Sequence, residues 1–119
     1  MSKPMNAFSK TILLFSLLLL FSGFQIIKTT LNITVRDELG NIVEGATVQL
    51  FETEDDYLKE ENIAGEGASD KNGIVKFKDL KPIAYYVIVR KEDKDNSGGG
   101  ERTAELEPKR INKVTIVIQ

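Results

Sequence analysis

The chain has 119 residues, 16 Lys and Arg against 18 Asp and Glu, a net charge of −2, and neither cysteine nor histidine. The two missing residue types exclude a disulfide framework, thiol nucleophiles, Cys/His zinc sites and Ser-His-Asp chemistry. No basic stripe with interleaved aromatic residues is present either, so nucleic-acid binding has no electrostatic footprint.

The N-terminus reads as an address rather than a fold element. Lys3 and Lys10 flank a short polar start, the apolar run TILLFSLLLLF follows, and the small residues Ser22 and Gly23 come next, the pattern of a secretory leader. Apolar character resumes at Phe24, Ile26 and Ile27, and Thr11 to Ile27 makes 17 residues, the lower edge of a spanning helix. Residues 1–27 are therefore expected to be a signal peptide or an uncleaved membrane anchor, followed by one domain over residues 30–119. No cysteine follows the run to carry a lipid, and the lack of Cys suits an exported bacterial protein that does not depend on oxidative folding. Because the first acid is Asp37, loss of Lys3 and Lys10 takes the net charge from −2 to −4.

After the leader the period is two. Leu31, Ile33 and Val35 alternate with Asn32, Thr34 and Arg36, as a half-buried strand requires. Asp37-Glu38-Leu39-Gly40-Asn41 ends it, with Asp able to accept from the backbone ahead and Gly40 able to take positive φ. Past a corner marked by Gly45, a second strand alternates Ala46, Val48 and Leu50 with Thr47 and Gln49.

The stretch ETEDDYLKEENIAGEGAS breaks the period. It carries seven acids between Glu52 and Glu66 against the one base Lys59, and Asp55 is expected to cap a short helical turn bearing Tyr57 and Leu58. Such a run is a solvated connection between strands, with Tyr57 or Leu58 tucked onto the core, or else a surface for a cation or basic partner. Asp70-Lys71-Asn72-Gly73 is a second turn of the Asp-x-x-Gly kind, leading into Val75 and Phe77 facing in and Lys76 and Lys78 facing out, with Pro82 ending the pairing.

From Ala84 to Lys91 both faces are apolar: Tyr85, Val87 and Val89 on one, Tyr86 and Ile88 on the other. Either the acidic connection covers Tyr86 and Ile88, or they form an exposed partner site. Residues 92–101 read as a loop in which Asp93, Asp95, Ser97 and Gly98 mimic the opening of a calcium-binding loop, but its twelfth position is Ala104 rather than a bidentate Glu. No metal or cofactor is expected. Lys113 to Gln119 closes the chain as a strand with Val114, Ile116 and Ile118 inward.

The motifs V-x-D-x-x-G-x-x-V-x-G-A-x-V-x-L (Val35–Leu50) and S-D-x-x-G-x-V-x-F-x-x-L (Ser69–Leu80), then Tyr-Val-Ile-Val and a last apolar strand, resemble carboxypeptidase regulatory-like, transthyretin-like (prealbumin-like) domains. They are similar also to the B-type repeats of collagen adhesins. The resemblance implies an all-β, seven-stranded (six to eight) antiparallel Ig-like or prealbumin-like β-sandwich after an N-terminal hydrophobic helix, and an accessory or binding role without catalysis. In the adhesin relatives a Lys on the first strand joins an Asn or Asp on the last strand through an isopeptide bond. Here that position is Val35, and Asn112 has no matching lysine, so no internal crosslink is expected.

The function expected is therefore a non-enzymatic exported module, periplasmic, secreted or at the cell surface, that recognises a protein or polysaccharide or spaces cell-envelope components. Its candidate surface is Tyr57, Tyr86 and Ile88 with Asp55 and Asp56. The alternatives are a structural subunit that self-associates through an edge strand such as Lys113–Gln119, and an enzyme using paired carboxylates such as Asp55 and Asp56.

Overall fold

The computed structural model describes residues 26–97 and 100–119; the leader or anchor expected over residues 1–27 lies almost wholly outside them. Seven strands and one short helix follow in the order β1 (Thr30–Asp37), β2 (Thr47–Phe51), α1 (Glu54–Lys59), β3 (Gly65–Ala68), β4 (Ile74–Phe77), β5 (Tyr86–Lys91), β6 (Lys94–Asp95) and β7 (Ile111–Ile118). They form a three-stranded sheet, β4-β1-β7, and a four-stranded sheet, β3-β2-β5-β6. Among the described residues no helix is long and apolar enough to cross a membrane.

The alternation read from the sequence is what the two sheets bury. Leu31, Ile33 and Val35 of β1, Val75 and Phe77 of β4, and Ile116 and Ile118 of β7 meet Val48 and Leu50 of β2 and Val87 and Val89 of β5 in one core. Val114 is packed against that core only in part. Burial of such side chains contributes about 1.5–3 kcal/mol each and is the main favourable term.

Two expectations are corrected, the wholly antiparallel sheet and the acidic connection without a strand. The sheet is not wholly antiparallel: β1 runs parallel to β7 over its whole length, from Thr30 beside Ile111 to Asp37 beside Ile118. Parallel neighbours need a long crossover, and the first and last strands of a domain have the entire chain between them. The consecutive strands β1 and β2 lie in different sheets and do not pair. The turn at Asp37–Asn41 folds the chain back for a single bridge, Arg36 to Ile42, and residues 43–46 then carry it across to the other sheet. Secondly, the end of the acidic connection is a strand, β3, read from sequence as loop because its inward positions are Gly65 and Gly67. A Cβ at Gly67 would lie 2.8 Å from Val75 Cγ1 and one at Gly65 3.0 Å from Phe77 Cδ1. The sheets close on each other along this edge only because those side chains are missing.

The crossing is fastened by Ser69. Its hydroxyl donates to Val43 O (2.7 Å) and accepts from Ala46 N (2.8 Å), while its backbone pairs with Gly45 N and Ala46 O. The segment from Glu101 to Leu106, which carries no period in the sequence, is pinned as well. Glu101 O accepts from Val87 N, Thr103 N donates to Tyr85 O, and Thr103 Oγ1 accepts from Tyr85 N; Leu106 is then delivered into the core. Buried backbone groups need partners, and these side chains supply them where ladders do not reach.

Candidate binding surface

The candidate residues lie on the outer face of the four-stranded sheet, under and around α1. A six-residue helix is too short to hold itself, so its ends and one side chain fix it. Thr53, with extended backbone, is the N-cap, and its Oγ1 accepts from Asp56 N at 3.1 Å. Asp55 is therefore not the cap; it sits inside the first turn with Glu54 and Asp56, where negative charge suits the helix N-terminus. The last turn closes through Glu60 in left-handed conformation, its N–H reaching Tyr57 O.

Tyr57 is the residue that docks the helix. Its ring meets Phe51 edge-on, centroids 6.2 Å apart, and lies 5.5 Å from the ring of Tyr86 at a 30° tilt. On Tyr86 the Arg102 guanidinium also rests, 5.1 Å from the centroid. Phe51 and Tyr86 are in register on β2 and β5, so Phe51, fully buried on the face away from the core, is covered by the helix. On the second apolar face of β5 the acidic connection covers Phe51 and, through Tyr57, part of Tyr86, while Tyr86 and Ile88 each stay half-buried beside the helix. Leu58 is instead 70% exposed. Burial first, and the Glu101 carboxylate second, push the Tyr57 hydroxyl above its ordinary range.

Next along β5, half-buried Ile88 lines a shallow cleft of about 190 Å³ with Tyr57, Leu58, Glu60, Arg90 and Asn96. One rim is the ion pair of Arg90 and Glu60, 2.6 Å apart, which holds the Glu60 carboxyl below its usual value. Asp55 and Asp56 are engaged separately. Asp55 pairs with Lys59 one turn on, at 3.3 Å, and Asp56 Oδ1 accepts from Asn62 Nδ2 at 3.1 Å. Structure thus brings Tyr57, Tyr86 and Ile88 together and leaves the two acids beside them, each with its own partner. Phe51 and Arg102 belong to the same cluster and were missed: Phe51 reads as core by composition, and Arg102 lies in a stretch without period.

The expected 92–101 loop is partly a hairpin, β5 to β6, with Glu92 at positive φ in its turn. Of its calcium-like residues, Asp95 and Ser97 bond each other. Asp95 Oδ1 accepts from both the N–H and the hydroxyl of Ser97, and the buried Asn96 carboxamide bonds Val89 N and Val87 O; Gly98 lies outside the described residues. At the position of the adhesin crosslink, Val35 is fully buried and in register with Ile116. Asn112 holds backbone instead, accepting from Glu107 N at 2.9 Å and donating to Thr30 O at 3.1 Å.

No family model matches this sequence, and no curated protein does. Solved structures share the fold. A streptococcal ancillary pilin matches with a TM-score of 0.60 at 16% identity, over 81% of this chain and 33% of that one. BcpA, the major pilin subunit of Bacillus cereus, appears as its D312A form with a TM-score of 0.52 at 20% identity, over 77% of this chain and 30% of that one. The TIE protein of Bacillus anthracis matches with 0.54 at 18%, over 78% and 16%. The chain spans about a third or less of each of these proteins. It has the β-sandwich fold found in domains of pilin subunits.

Proposed function

We propose that this chain is a non-enzymatic, exported cell-surface module of structural or adhesive type. The observation that supports it is the likeness of nearly the whole sandwich to domains of pilin subunits. The apolar leader-like segment before residue 28 accords with export, and the motifs from Val35 to Leu80 support reading the module as one of the carboxypeptidase regulatory-like, transthyretin-like group. Residues 30–119 act as its domain and residues 1–27 as its signal peptide or anchor. Tyr57, Tyr86 and Ile88, with Asp55 and Asp56 at the margin, form the surface that meets a protein or polysaccharide. The test is fractionation and protease shaving of intact cells making the C-terminally tagged chain. The reading expects the tag beyond the cytoplasmic membrane; a purely cytoplasmic pool would refute it.

A second reading is self-association by strand addition at β7. That strand is the edge of its sheet, with β1 on one side, and among the described residues its other side is bonded only just past its end, where Gln119 exchanges two backbone bonds with Asp95. An open edge of this length is a template for another strand. Light scattering at rising concentration decides: a strict monomer removes this reading.

A further inference from the structure

The outer face of the three-stranded sheet carries cations and no acid at its alternating positions. Asn32, Thr34 and Arg36 of β1 lie between Lys76 of β4, with Lys78 just beyond, and Lys113, Thr115 and Val117 of β7. Lys76, Asn32 and Lys113 are in register in one row across the sheet. At the start of β1 the chain crosses this face and leaves a groove of about 450 Å³ lined by Ile26, Ile27, Lys28, Asn32, Lys76 and Ile111. Three of those residues are apolar and open to solvent: Ile26 is 85% exposed, Ile27 55% and Ile111 54%. Asn32 Oδ1, buried, has no hydrogen-bond partner among the described residues. Asp79 meets Lys28 at 3.7 Å with both side chains largely exposed, a pairing too solvated to neutralise the patch.

We propose that this face docks on an anionic lipid bilayer. Exposed isoleucines ringed by lysines match the headgroup boundary: apolar side chains enter the interface while the ammonium groups meet lipid phosphates. A juxtamembrane cation strengthens adsorption to an anionic surface by about fivefold. The choice of a bilayer over another polyanion comes from the sequence: Ile26 and Ile27, which line the groove, are the last residues of the apolar stretch that begins at Thr11. The acidic residues of α1 lie on the other sheet, so the molecule presents its cationic side to the membrane and its Tyr57–Tyr86 surface away from it.

Because the chain has no cysteine, single labels are clean. The full chain carrying a fluorophore at Thr115→Cys, or at Asp55→Cys, is incorporated into vesicles of phosphatidylcholine alone or with phosphatidylglycerol, each containing a headgroup-attached quencher. Docking predicts stronger quenching at position 115 in the anionic vesicles, no such change at position 55, and loss of the difference in the K28Q/K76Q/K78Q/K113Q variant and at high salt. Equal quenching at 115 in both vesicle types, or a difference that survives the four substitutions, overturns the proposal. Concentration-dependent shielding of position 115 from a water-soluble quencher in detergent overturns it too, since a second copy would then cover the face. The vesicle result is independent of the export test, so either reading can fail alone.

Discussion

Gly73 lies so close to Ile42 that a Cβ built on it would stand 2.5 Å from Ile42 Cγ2 and 2.9 Å from Val35 O. The two Asp-x-x-Gly turns are therefore docked together, and Val35 N donates to Gly73 O at 2.7 Å across the joint. Gly40, the matching residue of the first turn, has nothing within 4 Å of the same position. Both have positive φ, 75° and 85°. Gly40→Ala should thus cost only the backbone term, about 1 kcal/mol. Gly73→Ala adds a clash with backbone and a β-branched side chain and should cost about 3 kcal/mol or more. Urea midpoints of the two variants test this; equal losses would mean the joint gives way.

Ser69→Ala leaves Val43 O and Ala46 N without their partner inside the corner where the chain changes sheets. Loss of a buried hydroxyl serving two backbone groups should cost about 1–3 kcal/mol. Chemical denaturation measures it, and a loss below a few tenths would show that the backbone pairing of Ser69 with Ala46 suffices alone.

Tyr85 is buried in the core with its hydroxyl accepting from Lys81 N at 3.0 Å and donating to Lys81 O at 3.2 Å, which pins the bend before β5. Tyr85→Phe should cost about 1–2 kcal/mol. Burial raises the pKa of this hydroxyl, as it does that of Tyr57. A pKa raised on folding means that the native state keeps its proton longer. The associated stability is present below the ordinary tyrosine pKa near 10 and is lost as pH rises beyond it. Alkaline melting curves should fall above about pH 10, and less steeply in Tyr85→Phe.

The acid side has the opposite sign. Asp37 Oδ1 accepts from Leu39 N and Asn41 N, and Asp70 Oδ1 from Asn72 N and Ile74 N. These donors favour the charged form and lower both pKa values. Their contribution is present above the ordinary Asp value and disappears as pH falls through the folded one. Thermal midpoints should hold from neutrality to about pH 5 and decline below about pH 4. Asp37→Asn with Asp70→Asn should flatten that decline; an unchanged acid slope would show that other carboxylates carry it.

Much of the fold was legible because alternation and turn chemistry are local. Asp37 and Asp70, each followed three residues on by Gly, make nearly the same set of bonds, and both turns could be read from residue types alone. The faces of β1, β4 and β5 followed from period two. Less could be read of the candidate surface. Tyr57 and Tyr86 are 29 positions apart in the chain, and Arg102 and Phe51 join them through sheet register, which no local pattern encodes.

By itself the sequence determined the β-sandwich class, the two Asp-x-x-Gly turns, the two-sided character of β5 and the exclusion of cysteine and histidine chemistry. All depend on residue type and short-range spacing. Only the tertiary structure decided that β1 runs parallel to β7, that Gly65 and Gly67 form an inward strand face, that Thr53 rather than Asp55 caps α1, and that lysines from three separate segments share one face. Each of these is set by which distant backbone lies alongside, and that is fixed by burying the whole core at once rather than by any stretch of chain.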